Sequence, residues 1–149
     1  MDGQDVARQT QIEHEMLGHL IGGLRATAGW QVPGPEAPRK LSTLRFLSQS
    51  FQRHLERLLA LEEGDGYMGL ALTASPQLAR ATASLRAEHE RFRAEAGRVA
   101  RRLESLPAEE ALGTACGELL DLLAQVEAHS RKEMALVQEA FGQDEGGEG

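Results

Sequence analysis

The sequence predicts an all-α protein whose four long helices pack as a bundle, and three observations lead there. Ala, Leu, Glu, Arg and Gln abound while aromatic residues make up only 4% of the chain. Unbranched side chains of that kind lose little rotamer freedom on a helix. Clusters of Pro, Gly and Ser divide the chain into four long segments. Within each segment apolar residues recur at alternating spacings of four and three, the period of a bundle seam, and none shows sustained period-two alternation.

The first helix is expected over residues 5–28, ending at Gly29. A loop over 30–41 holds Pro33, Gly34, Pro35 and Pro38, none of which suits a helix interior. Ser42 or Thr43 then caps the second helix by accepting a hydrogen bond from its free N–H groups. That helix runs to Glu63, where Gly64-Asp65-Gly66 interrupts it, with a short helical turn at 67–72. Ser75-Pro76 starts the third helix, Ser as cap and Pro where its missing N–H costs nothing, and the helix reaches Glu104. Ser105-Leu106-Pro107 is a second start of the same kind, and the last helix ends near Phe141.

At 149 residues, one domain is expected over 1–141, large enough to bury about two-thirds of its unfolded surface. Residues 142–149 form an acidic, Gly-rich tail with the composition of a disordered segment. The net charge of −7 argues against nucleic-acid binding, which needs a basic face. The arginines crowded between Arg80 and Arg102 are interleaved with Glu88, Glu90, Glu95 and Glu104, the pattern of a solvated helix face. The single Cys116 excludes an intramolecular disulfide and fits a reducing compartment. No basic-then-apolar leader opens the chain, and no apolar run approaches the ~20 residues needed to span a bilayer. A soluble, cytoplasmic protein without membrane attachment is therefore expected.

The histidines carry the functional signal. His89 follows His14, and His129 follows His54, by the same 75 residues, and Glu13-His14-Glu15 returns as Glu88-His89-Glu90. The inward stripe of the first helix reads Thr10, His14, Leu17, Ile21, Leu24. The second reads Leu44, Leu47, Phe51, His54, Leu58, Leu61. The third reads Leu78, Thr82, Leu85, His89, Phe92, Ala96, Val99, Leu103, and the fourth reads Leu119, Leu122, Val126, His129, Glu133, Leu136. Each helix thus turns one histidine inward.

At about 1.5 Å per residue, His14, His54 and His89 come out level. His129 joins them if the chain breaks between residues 107 and 113, where Gly113 and Gly117 follow. Imidazoles packed together must satisfy two ring nitrogens each, and a metal ion satisfies several at once. Glu133, one turn after His129, would be costly to bury alone, and the pair offers the nitrogen and oxygen donors that first-row transition metals take.

With these motifs the chain resembles the hemerythrin family, specifically its bacterial histidine–histidine–glutamate members. The resemblance rests on Glu13-His14, the Glu62-Glu63-Gly64-Asp65-Gly66-Tyr67 segment, Glu88-His89 and His129-x-x-x-Glu133, and it covers nearly the whole chain. It implies an up-down-up-down antiparallel four-helix bundle around non-haem iron, a di-iron pair in the family. It also implies dioxygen or nitric oxide as ligands, or a role in oxygen or iron sensing.

The chain departs from the family in two places. Family members carry a His-x-x-x-Glu pair on the second helix, whereas here His54 is followed by Leu58. Alternatively Glu62 is the family carboxylate and Leu58 stands where a histidine is expected. Arg93 stands a turn beyond His89, where some members place a second histidine. The candidate metal ligands are therefore His14, His54, Glu62, His89, His129 and Glu133, for one or two irons. His19 falls on another face, Glu13 and Glu88 are expected as surface partners rather than ligands, and Tyr67 as packing or at the mouth of the site.

Two other readings stand beside a metal-binding protein. One is a metal-free helical bundle serving as a structural or partner-binding scaffold. The other is a metal site acting on peroxide or another small oxidant. No Ser-His-Asp order, Cys nucleophile, phosphate-binding Gly loop or zinc-type Cys pair supports other enzymology. No protein partner can be named from the chain.

Overall fold

A computed structural model describes residues 3–31, 36–64, 66–106 and 111–141. The helices are α1 (Gly3–Ala28), α2 (Ala37–Glu63), α3 (Tyr67–Ala74), α4 (Pro76–Glu104) and α5 (Leu112–Phe141), and there is no strand among the described residues. α1 packs on α2 and α5, and α4 packs on the same two, so the four long helices close a ring with up-down-up-down connectivity. The expected bundle is the fold. Short α3 lies mainly against α4 and also touches α2 and α1, closing one end.

Boundaries differ from expectation where prolines were weighed too heavily. α2 begins at Ala37 rather than at Ser42, with Pro38 in its first turn. There an N–H would have no intrahelical acceptor, so its loss costs nothing. α3 is a full eight-residue helix rather than a single turn. Ser75 caps α4 as expected, its Oγ accepting from the Leu78 N–H at 3.1 Å. α5 starts at Leu112 and carries Gly113 and Gly117 within it. The expected start at Pro107 and most of the expected break before Gly113 lie outside the described residues, as does the tail.

The turn joining α2 to α3 is tight. The Gly66 N–H donates to the Leu61 carbonyl at 2.8 Å. A Cβ on Gly66 would lie 2.7 Å from Glu62 Cα and 2.8 Å from the Leu61 carbonyl oxygen, so only glycine fits there.

The apolar interior comes in two clusters. The larger runs from Leu17 to Ala28 on α1, Leu44 to Leu59 on α2, Phe92 to Leu103 on α4 and Leu112 to Val126 on α5. The smaller gathers Val6, Ala7, Tyr67, Met68, Ala71, Leu85, Leu136 and Val137 at the end closed by α3. On α4 and α5 the buried residues follow the stripes read from the sequence. On α2 the buried arc is broader and turned, taking in Ser48, Leu55, Leu59 and Glu62, while Leu47 and Leu61 are only partly buried. That turn carries Glu62 inward. None of the helices is long and apolar enough to cross a membrane.

Candidate metal centre

Between the two apolar clusters lies a polar layer built by one turn of each long helix. α1 supplies His14, α2 supplies Glu62, α4 supplies His89, and α5 supplies His129 and Glu133 one turn apart. His89 and Glu133 are fully shielded from solvent, and Glu62 and His129 are buried. Their donor atoms form two groups compact enough to hold a cation each: His89, His129 and Glu133, and His14, Glu62 and Glu133. Glu133 belongs to both.

In the first group, His129 Nε2 lies 3.0 Å from Glu133 Oε1 and His89 Nε2 lies 3.6 Å from Glu133 Oε2. The two Nε2 atoms are 3.2 Å apart. In the second, His14 Nε2 is 3.4 Å from Glu62 Oε2 and 3.4 Å from Glu133 Oε1.

The outer ring nitrogens are also held. His89 Nδ1–H donates to Glu63 Oε2 at 2.7 Å, and His129 Nδ1–H donates to Glu88 Oε2 at 2.6 Å. An ionised carboxylate can only accept, so each Nδ1 carries a proton and each Nε2 is left facing inward to take up a proton or an ion. Arg93 grips Glu63 in turn, Nη1 to Oε2 at 2.9 Å and Nη2 to Oε1 at 3.1 Å, and also donates to Glu56 and Glu90. His14 Nδ1 meets Ser130 Oγ at 3.0 Å. Above the layer, the Tyr67 hydroxyl donates to Glu133 Oε2 at 2.5 Å.

These donors fit a cation. Two inward lone pairs 3.2 Å apart repel unless a proton or an ion lies between them. Two nitrogens bound to one ion at about 2.1 Å, at angles between a right angle and the tetrahedral one, sit about 3.0–3.4 Å apart. Glu62 Oε1 is buried without a hydrogen-bond partner among the described residues, which is costly unless a proton or a cation meets it.

Electrostatics agrees. Burial, and next the charge of Glu133, push the Glu62 carboxyl well above the usual carboxylate range. Burial would raise Glu133 too, but hydrogen bonds from His129, His89 and Glu62 hold it well below. Burial depresses His14. At His129 burial works in the same direction, yet Glu133 and Glu88 outweigh it and raise the ring.

Of the six candidates, five converge here. His54 does not join either group: its Nε2 is 3.9 Å from Glu13 Oε2, buried, and without a hydrogen-bond partner among the described residues. Leu58 is buried one turn before Glu62, so no side chain at that position supplies a donor. His19 is exposed. Sequence reasoning missed Glu63, Ser130 and the role of Arg93. Glu63 follows Glu62 at a helix end and looks like any solvated charge, and nothing in a single sequence pairs it with His89.

A helical bundle whose buried histidine and glutamate donors form two groups that share Glu133 has the make-up of a cation-binding domain. The chain belongs to the hemerythrin family: the Hemerythrin HHE cation binding domain matches it over residues 5–140. No curated protein and no solved structure matches it significantly.

Proposed function

We propose that this protein is a non-haem iron protein of the hemerythrin type, holding one or two irons in the polar layer and taking dioxygen or nitric oxide as a small ligand. One observation carries the reading: three imidazole Nε2 atoms and two carboxylates from four helices converge in a largely buried layer, with Glu62 Oε1 lacking a hydrogen-bond partner among the described residues. Iron with an open coordination position would supply the binding of a diatomic ligand. The residues do the rest: His89 and His129 present fixed lone pairs, Glu133 is shared by both donor groups, and Phe92 and Leu58 keep water scarce.

A cavity of about 170 Å³ beside Glu62 is lined by Val6, Leu58 and Leu61 together with Gln9, Thr10 and Glu13, and has room for a small molecule. A reducing cytoplasm, which the free Cys116 fits, would keep iron ferrous.

The test is anaerobic reconstitution of the untagged protein with ferrous iron, followed by metal analysis and optical spectra before and after air or nitric oxide. One to two irons per chain, with new visible absorption on exposure, is the expected result. Less than about 0.2 iron per chain would sink the reading and leave the metal-free scaffold in its place.

A further inference from the structure

The two donor groups share Glu133 but are not built alike. The His89–His129–Glu133 group has two imidazoles, and each has its outer nitrogen hydrogen-bonded to a carboxylate at 2.7 or 2.6 Å. The His14–Glu62–Glu133 group has one imidazole, whose outer nitrogen meets a serine hydroxyl at 3.0 Å. A hydroxyl donates or accepts equally well, so it neither fixes the tautomer of His14 nor makes its Nε2 a stronger donor. A carboxylate does both.

Arg93 adds a further layer on one side alone. Its two guanidinium nitrogens grip both oxygens of Glu63, and Glu56 and Glu90 hold the same guanidinium from either flank. Glu63 is thereby pinned at the height of His89. No comparable clamp stands behind Ser130 among the described residues.

We propose that the layer binds cations with unequal strength: His89–His129–Glu133 is the tight site, His14–Glu62–Glu133 a weaker and exchangeable one, and Arg93 is the positioning residue that secures the tight site through Glu63. The inference rests on the metal-binding reading above. It adds an order of filling, because the first ion takes the better donors and the second must share Glu133 with a charge already in place.

The experiment titrates the full, metal-stripped chain with cobalt(II) without oxygen, following visible absorption and the heat of binding. Two steps are expected, the first tighter by at least an order of magnitude. Arg93→Ala should weaken the first step roughly 10- to 100-fold and leave the second in place, and Arg93→Lys, charged but without the fork, should recover only part of the loss. His14→Ala should remove the second step alone. Glu63→Gln, which keeps an acceptor for His89 without the charge, should weaken the first step and carries the test if Arg93→Ala folds poorly. A single step for two equivalent ions overturns the proposal, as does a first step unmoved by both Arg93→Ala and Glu63→Gln in folded protein. Absence of all binding overturns the metal-binding reading with it, so the two failures are told apart.

Discussion

Tyr67 donates a 2.5 Å hydrogen bond to Glu133, and both side chains are sealed from solvent. Burial and the neighbouring carboxylates of Glu133 and Glu62 push the phenol far above its ordinary range, so it stays a neutral donor. Tyr67→Phe leaves a buried carboxylate short of one partner. The metal-free variant should lose about 1–3 kcal/mol in urea denaturation, and the metal-loaded variant less, because a cation then meets Glu133.

Gly66 couples the α2–α3 turn to the site, since a methyl group there would press on the backbone of Glu62 itself. Gly66→Ala should cost about 1–3 kcal/mol and lower the metal retained by the His14–Glu62–Glu133 group. Measuring metal content after dialysis beside the unfolding midpoint checks both effects. Unchanged metal content with lowered stability would show that the turn does not position Glu62.

Metal binding should release protons. Glu62 is raised by burial and by Glu133, and His129 is raised by its two carboxylate partners against the effect of burial. Both therefore take up protons more readily than the free side chains, a cation must compete with those protons, and affinity should rise with pH. The metal-free protein should behave in the opposite sense. A raised folded-state pKa gives stability that is present below the unfolded value and lost as pH rises through the folded one. His14, depressed by burial, acts in the opposite sense over the same range, so the fall in thermal midpoint across roughly pH 5–8 should be steeper in His14→Gln than in the unaltered protein. Calorimetry in buffers of different ionisation enthalpy and melting curves at several pH values test the two slopes.

His54 and Leu58 separate the candidate contributions of α2. His54→Ala should leave iron content unchanged, because His54 lies in neither donor group. Leu58→His places an imidazole one turn before Glu62, beside the same cavity, and should strengthen retention of the weaker ion. Iron analysis after graded chelator treatment reads both. Loss of iron in His54→Ala with Glu62→Gln harmless would assign the helix ligand to His54 instead.

Much of this was legible in the chain. On α4 and α5 a single heptad stripe was strong enough to place His89, His129 and Glu133 on one inward face, and the 75-residue echo paired the first of them with His14. α2 was not legible to the same degree, because Leu47, Leu55, Leu58, Leu59 and Leu61 surround it with apolar residues and several stripes fit equally well. Whether His54 or Glu62 faced the centre therefore depended on packing against both α1 and α4. The support around the donors was hidden for another reason. The Glu63–His89 and Arg93–Glu63 contacts join different helices through long charged side chains, which on a sequence are indistinguishable from solvated ones.

The polar layer interrupts the apolar interior, leaving a long cluster on one side and a short one under α3 on the other. Side-chain packing between the two passes through five ionisable residues rather than through continuous hydrocarbon, and only the helix backbones run unbroken across. In the metal-free protein the α3 end should therefore open on its own, its amides exchanging with solvent sooner than those around Leu24, Leu44 and Leu123. A bound cation would tie the four long helices across that seam, and the two halves would then exchange as one unit.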